Sequence, residues 1–385
     1  MNNWKKFLSY SLVAILASAL TVVALEFRVP EKSEVAKLEE LNDLIEEKFI
    51  GEYDEQILLD SAAAGMVASL DDEWSYYMSA QEYAAYQDTM NNAYVGVGIT
   101  ITVREDGYLD VMKVEPKGPA KEAGIQPGDV LIKANGLDCA EMGIDQTGNV
   151  VRGEEGTTVN LTVLRDGREL EFTVERRYFE VMVAEGKMLP GSVGLVTIMN
   201  FDTRCAEETL AAVKALMDQG ARALIFDVRN NPGGYKHELV EILDYLLPEG
   251  VLFRSEFYDG TVTEDKSDKR RLEIPMAVLV NGESYSAAEF FAAALMDYDA
   301  AVIVGTQTYG KGYFQQTFTL QDGSAVGLSV GKYYTPIGEN LAGVGITPDI
   351  VVDVEEEVFL DIYYGRLEPM EDPQVKAALE ALKAS

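Results

Sequence analysis

From Tyr178 onward, short apolar runs alternate with helix-length amphipathic stretches, and nothing else in the chain restricts its fold as strongly. The runs Val193–Met199, Ala223–Val228, Met276–Val280 and Ala301–Gly305 have strand length and β-branched content, and helical patterns at Thr203–Gln219, Lys236–Leu247 and Ala287–Asp297 separate them. Strand, crossover helix and next strand in this rhythm imply an α/β layer core. Tyr313–Leu320 and Ala325–Tyr334 then alternate around Gln321-Asp322-Gly323-Ser324, which predicts a hairpin. Asp372-Pro373 opens a last short helix carrying Val375, Leu379 and Leu382, a pattern of packing and not of chemistry.

Tyr94–Arg177 has a different character. Short β-branched strands such as Gly98–Val103, Asp129–Lys133 and Thr158–Arg165 are separated by glycine turns, with a hairpin signal at Arg165-Asp166-Gly167. Before it, Glu34–Phe49 and Glu55–Leu70 space their apolar residues helically (Leu38, Leu41, Leu44, Ile45; Ile57, Leu58, Ala62, Met66), and Ala80–Met90 continues in that style. Five regions follow: an N-terminal segment 1–26, a helical region 27–93, a mostly-β insertion 94–177, the α/β core 178–355 and a helical tail 356–385.

A length of 385 residues with 47% hydrophobic content is enough for more than one packed core, so disorder is excluded as the general state. A net charge of −33 excludes a nucleic-acid partner, because phosphate binding needs a surplus of Lys and Arg. Phe7–Leu25 carries no charge and follows Lys5 and Lys6; as a helix it spans roughly 28 Å, close to the hydrocarbon thickness of a bilayer. The lysines should stay on the cytoplasmic side and send the remainder outward. The length favours a retained anchor over a cleaved signal peptide, although Ala17-Ser18-Ala19 and the end near Ala24 supply small residues. Cys139 and Cys205 lie in different regions and suggest neither a disulfide framework nor a metal cluster, so no metal or cofactor is expected.

The chemistry concentrates after the run ending at Val280. Ser286, in Asn281-Gly282-Glu283-Ser284-Tyr285-Ser286-Ala287-Ala288-Glu289, precedes a helix-forming stretch and so stands at a helix mouth, where unpaired N–H groups favour developing negative charge. Lys311 follows in Tyr309-Gly310-Lys311-Gly312. A general-base lysine must be neutral, yet at an ordinary pKa of about 10.4 only ~1 in 2,500 would be so at pH 7. Burial without a carboxylate partner can lower it by about three units, and no acid lies within Gly305–Leu320. Gly310 and Gly312 leave room for close backbone approach. If Lys311 to Gln315 is extended, positions 311, 313 and 315 share a face. For the oxyanion, Ala287 should donate one N–H and Gly233, in Asn231-Pro232-Gly233-Gly234, the other, with Gly234 the less favoured alternative. His237, the one histidine, sits in a polar Lys236-His237-Glu238 cluster that reads as a solvated first turn.

These segments resemble the carboxy-terminal processing peptidases, or tail-specific proteases: serine peptidases with a Ser/Lys dyad and an inserted PDZ domain. Ser69-Leu70-Asp71-Asp72 with Tyr76-Tyr77, the insertion, Asp227-Val228-Arg229-Asn230-Asn231-Pro232-Gly233-Gly234, the serine and lysine segments, Tyr333-Tyr334-Thr335-Pro336 and Gly343-Val344-Gly345-Ile346-Thr347-Pro348-Asp349 occur in the family's order. The resemblance implies a crotonase-like α/β core and a catalytic Ser286, Lys311 and Gln315, the last orienting the lysine. Within a PDZ domain, Gly96-Val97-Gly98-Ile99 would hold a peptide's terminal carboxylate, and the peptide would add as a strand beside Ile99–Thr102. Arg152 would couple peptide binding to activation. Tyr285 and Ala288 depart from the family's Ser-Ala-Ser-Ala-Ser-Glu pattern, which aligns its central serine with Ser286 rather than Ser284. The family's N-terminal helices brace the core or make dimer contacts, so a homodimer is an implied partner beside protein substrates with free C-terminal tails. The expected activity is that of an extracytoplasmic serine endopeptidase at the bacterial plasma membrane. The competing expectation is a catalytically inactive PDZ adaptor that binds exported tails.

Overall fold

The structure is a computed structural model that describes residues 36–268 and 271–384. The expected membrane segment, residues 7–25, lies outside the described residues; among those described, no helix is long and apolar enough to cross a membrane. The chain divides into two compact units between Ala62 and Ala63. Helices α1 (Ala36–Lys48) and α2 (Glu55–Ala68) form where the apolar spacing predicts them, yet neither buries a residue. Strand β1 (Tyr76–Met78) leads into α3 (Ala80–Met90). A capping box starts α3: the Glu82 carboxylate accepts from Ser79 N–H at 2.8 Å while Ser79 Oγ accepts from Glu82 N–H at 3.4 Å.

The insertion comprises β2 (Ala93–Gly96), β3 (Ile99–Val103), β4 (Leu109–Val114), α4 (Pro119–Ala123), β5 (Val130–Ala134), β6 (Leu137–Asp138), α5 (Cys139–Val151), β7 (Thr158–Arg165), β8 (Arg168–Glu175) and β9 (Arg177–Glu180). Its sheet runs β3-β4-β5-β7-β8, with β6 beside β5. Leu109, Val111, Leu131, Leu161 and Val163 are buried together in its own core. The β7–β8 turn has positive φ at both Asp166 (51°) and Gly167 (74°), the geometry that Asp-Gly predicts for a two-residue hairpin. Strands β2 and β9 pair antiparallel, Ala93 opposite Glu180 and Gly96 opposite Arg177, so the chain enters and leaves the domain side by side.

The core comprises β10 (Ala184–Leu189), β11 (Val193–Ile198), α6 (Cys205–Asp218), β12 (Ala223–Asp227), α7 (Lys236–Leu246), β13 (Gly250–Phe257), β14 (Val262–Ser267), β15 (Met276–Val280), α8 (Ala287–Asp297), β16 (Ala301–Gly305), β17 (Tyr313–Thr319), β18 (Ala325–Tyr334), β19 (Ile350–Val351), α9 (Glu356–Tyr363) and α10 (Pro373–Ala384). A six-stranded sheet runs β10-β11-β12-β15-β16-β19, parallel except for β10. Every residue of β12 and β15 is buried, as strands covered on both faces must be. One face packs on α6, α7 and α8 through Val213, Leu239, Phe290 and Phe291, and the other on α10 through Val375, Ala378 and Leu379. A buried Arg229, bonded to Asp227 at 2.5 Å and Asp372 at 2.7 Å, ties α10 to the end of β12.

A second, antiparallel sheet runs β1-β18-β13-β14, with β17 also on β18. The expected β17–β18 hairpin is present, but it belongs to this sheet and not to the parallel layer. β1 reaches it from far upstream, Tyr76 pairing with Gly327, which brings the residues just before β1 to the lysine loop.

Candidate active site

Ser286 is the N-cap of α8, with φ 57° and ψ −124°. A non-glycine residue at positive φ costs about 1–3 kcal/mol, and the surrounding turn must hold it there. It does so through the strand ends. Tyr285 N–H donates to Asn231 O at 3.1 Å, and Asn281 and Asn230 exchange two bonds of 2.8 and 3.0 Å. The Ser284 hydroxyl donates to Val228 O at 2.7 Å and accepts from Asn281 N–H at 3.1 Å, so it is a fully buried structural tie between β12 and the turn.

Glu289, one turn into α8 and fully buried, joins Ser286 to Lys311. Its Oε2 accepts from Ser286 N–H at 3.0 Å and from Lys311 N–H at 2.8 Å. Its Oε1 accepts from Thr308 Oγ1–H at 2.6 Å and Gly310 N–H at 2.7 Å. Burial pushes its carboxyl up from the ordinary value while those four donors oppose the shift. The lysine loop is braced from the other side by the segment Asn340–Ile346. Gly343 N–H donates to Gly310 O at 2.8 Å, Ile346 N–H to Thr308 Oγ1 at 2.6 Å and Asn340 Nδ2 to Gly312 O at 3.0 Å. A Cβ on Gly312 would lie 2.4 Å from Ala342 N, which accounts for one of the flanking glycines by close approach.

The Lys311 amine lies over the Trp74 ring, 4.1 Å from its centroid. Burial lowers its pKa to about 8, against the charges of Asp72, Glu289 and Glu73, which raise it. Asp72 faces the same space and donors hold its carboxyl below the ordinary value despite burial. It accepts from the Ser75 hydroxyl; Ser75 Oγ in turn accepts from Ser329 N–H at 3.1 Å. Gln315 joins this chain by donating Nε2–H to Ser329 Oγ at 3.0 Å. Because β17 begins at Tyr313 and is bulged between Phe314 and Gln315, the lysine precedes the strand and the simple alternation from 311 to 315 does not hold.

Ala287 N–H, the first of the helix, meets no acceptor among the described residues. Gly233 (φ 91°) packs directly on the serine turn: a Cβ there would lie 2.7 Å from Ser286 Cβ and 2.9 Å from Ala287 N. Its N–H donates to Asn231 Oδ1 at 2.8 Å. Gly234 lies alongside, with a Cβ position 2.6 Å from Asp202 Oδ1. Burial pushes the Asp202 carboxyl up to about 7, with Glu238 adding to the shift. His237 is 72% exposed and packs on Tyr235, as a solvated first turn would.

In the insertion, β3 is the sheet edge, beside which the sequence places a peptide strand. Gly98 has φ 77°, and its carbonyl and that of Val97 accept from Glu115 and Ala120 N–H at 2.9 and 2.8 Å, so Gly96-Val97-Gly98-Ile99 is a shaped loop at the start of that edge. Arg152 is exposed at the end of α5 and bonds Asn149 Oδ1 at 3.1 Å; the structure does not bring it to Ser286. Sequence reasoning gave no role to Glu289, Thr308 or Trp74. Glu289 carried a signal, as the lone acid in the first turns of an otherwise apolar helix.

An α/β core with a strained serine at a helix mouth, and a PDZ domain inserted ahead of it, define a serine-type peptidase. Residues 192–352 match peptidase family S41, residues 111–165 match the PDZ domain and residues 18–82 match the activating protease CtpB N-terminal domain. A probable CtpA-like serine protease of Staphylococcus aureus (strain COL) is 31% identical over 377 residues, covering 94% of this chain and 75% of its own. The carboxy-terminal processing protease CtpA of Bacillus subtilis (strain 168) is 30% identical over 363 residues, covering 91% and 78%. Among solved structures, a photosystem II D1 C-terminal processing protease superposes with a TM-score of 0.50 at 27% identity, covering 82% and 86%. A putative S41 protease from Bacteroides fragilis NCTC 9343 shares the fold, with a TM-score of 0.62 at 19% identity, covering 86% and 90%. The chain belongs to the C-terminal processing peptidases of family S41.

Proposed function

We propose that this peptidase is an extracytoplasmic endopeptidase whose PDZ domain catches the free C-terminal tail of a protein and presents it to a Ser286/Lys311 dyad. The observation that carries the reading is the single Glu289 oxygen on which the backbone N–H groups of both residues converge. Ser286 Oγ attacks the peptide carbonyl as Lys311 Nζ takes its proton; collapse of the tetrahedral intermediate passes that proton to the leaving amine, and water releases the acyl group by the same steps. Ala287 and Gly233 N–H hold the oxyanion, Gly233 exchanging its Asn231 acceptor for the substrate oxygen. Gln315 orients the lysine, and Arg152 couples tail binding to activation.

Residues 7–25 anchor the chain in the bacterial plasma membrane as a single pass, with the peptidase outside; the uncharged run behind two lysines supports this. A homodimer is the assembly proposed for the apolar residues that α1 and α2 leave exposed, among them Leu41 and Ile57. Ser286→Ala and Lys311→Ala should each abolish cleavage of a tail-bearing protein while leaving tail binding intact, and Ser286→Ala should also lose labelling by a fluorophosphonate. Full activity in Lys311→Ala would refute the dyad; a wild-type chain that binds tails but neither labels nor cleaves would be an adaptor.

A further inference from the structure

Lys311 does not stand alone in its pocket. Trp74 comes from the segment before β1, Tyr285 from the serine turn and Tyr309 from the lysine loop, and their rings pack on one another: Trp74 to Tyr309 at 5.6 Å, Tyr285 to Tyr309 at 5.6 Å and Trp74 to Tyr285 at 6.4 Å between centroids. Tyr309 is further pinned by donating its hydroxyl to Glu73 Oε1 at 2.6 Å. The amine takes its place over the indole face, where a cation is attracted by the ring quadrupole. No residue in Gly305–Leu320 can neutralise that cation, so the contact comes from outside its own loop.

We propose that Trp74 is a positioning residue, seating the Lys311 amine on its ring face and thereby setting how readily the amine gives up its proton. The proposal rests on Lys311 being the base. Two influences of the indole oppose each other: it excludes water, which favours the neutral amine, and its π face favours the ammonium. Replacing it by a leucine keeps most of the apolar cover and removes the π face, so the two can be told apart by sign. The other charged groups acting on the amine are Asp72 and Glu73 beside Trp74 and Glu289 from α8, while the phenols of Tyr285 and Tyr309 pack on the same indole, with Glu283 acting on both. All of them are left in place.

The test is the pH profile of kcat/KM for Trp74→Leu and Trp74→Phe. In Trp74→Leu the rising limb should move to lower pH by about 0.5 to 1.5 units and the plateau should fall, with Trp74→Phe between it and the parent. A limb that stays in place or moves to higher pH in a folded Trp74→Leu would overturn the proposal. The second measurement keeps Trp74 itself. The chain has two tryptophans, so Trp4→Phe leaves Trp74 as the sole indole reporter. Its emission should titrate with a midpoint near pH 8, and Lys311→Met should abolish that transition. No transition between roughly pH 6 and 9.5, or one that survives Lys311→Met, would also overturn it. A titrating indole in a chain whose cleavage survives Lys311→Ala would instead leave the seat standing and sink the dyad.

Discussion

At the scale of single residues, the site depends on a balance around one amine. Burial takes Lys311 to about 8, so roughly one molecule in ten carries the neutral base at pH 7. With Lys311 as the proposed base, only its neutral form accepts the serine proton, so kcat/KM should rise with pH below that value and level off above it, a limb that a pH–rate profile on the intact protein reads directly. Glu289 offers a second prediction. Its carboxylate oxygens each accept two donors, and a carboxamide must turn its own N–H groups toward one of those pairs. Glu289→Gln should therefore lower stability by about 2–4 kcal/mol in urea unfolding and reduce cleavage, because serine and lysine segments lose their common anchor. His237→Ala should leave kcat/KM within about twofold of the parent, as expected for an exposed side chain outside the chemistry.

At the scale of elements, the lysine loop is held by glycines that admit another backbone. Gly312→Ala should push the loop off Asn340–Ala342 and cut kcat/KM by about 10- to 100-fold, with far-UV circular dichroism unchanged. The value of Gly310-Lys311-Gly312 was legible because a charged residue between two glycines, in a stretch without acids, has few physical explanations. The buried strands and their helices were equally legible, since Met276–Val280 and Ala287–Asp297 announce themselves by continuous apolar content. β13 and β14 were not. Val262-Thr263-Glu264-Asp265-Lys266 reads as solvated loop, and it becomes a strand by pairing antiparallel with β13, where Arg254 stands opposite Glu264 and bonds it at 2.9 Å. Nor does any local pattern say that Tyr76–Met78 pairs with Ala325–Gly327, so the arrival of Trp74 at the lysine was invisible from sequence.

At the scale of the whole molecule, the PDZ domain and the peptidase domain have separately packed cores, and the proposed function assigns tail recognition to the first and bond cleavage to the second. Ser286→Ala should bind a peptide with a free terminal carboxylate as the parent does and bind its C-terminally amidated counterpart at least about tenfold more weakly, measurable by fluorescence anisotropy. The insertion's two crossings, at Ala93–Gly96 and Arg177–Glu180, run hand in hand as one ribbon. An exchange of modules between relatives therefore needs only two neighbouring cuts and two neighbouring splices. Recombination at that ribbon can swap the whole insertion and leave every strand and helix of the peptidase layer where it was.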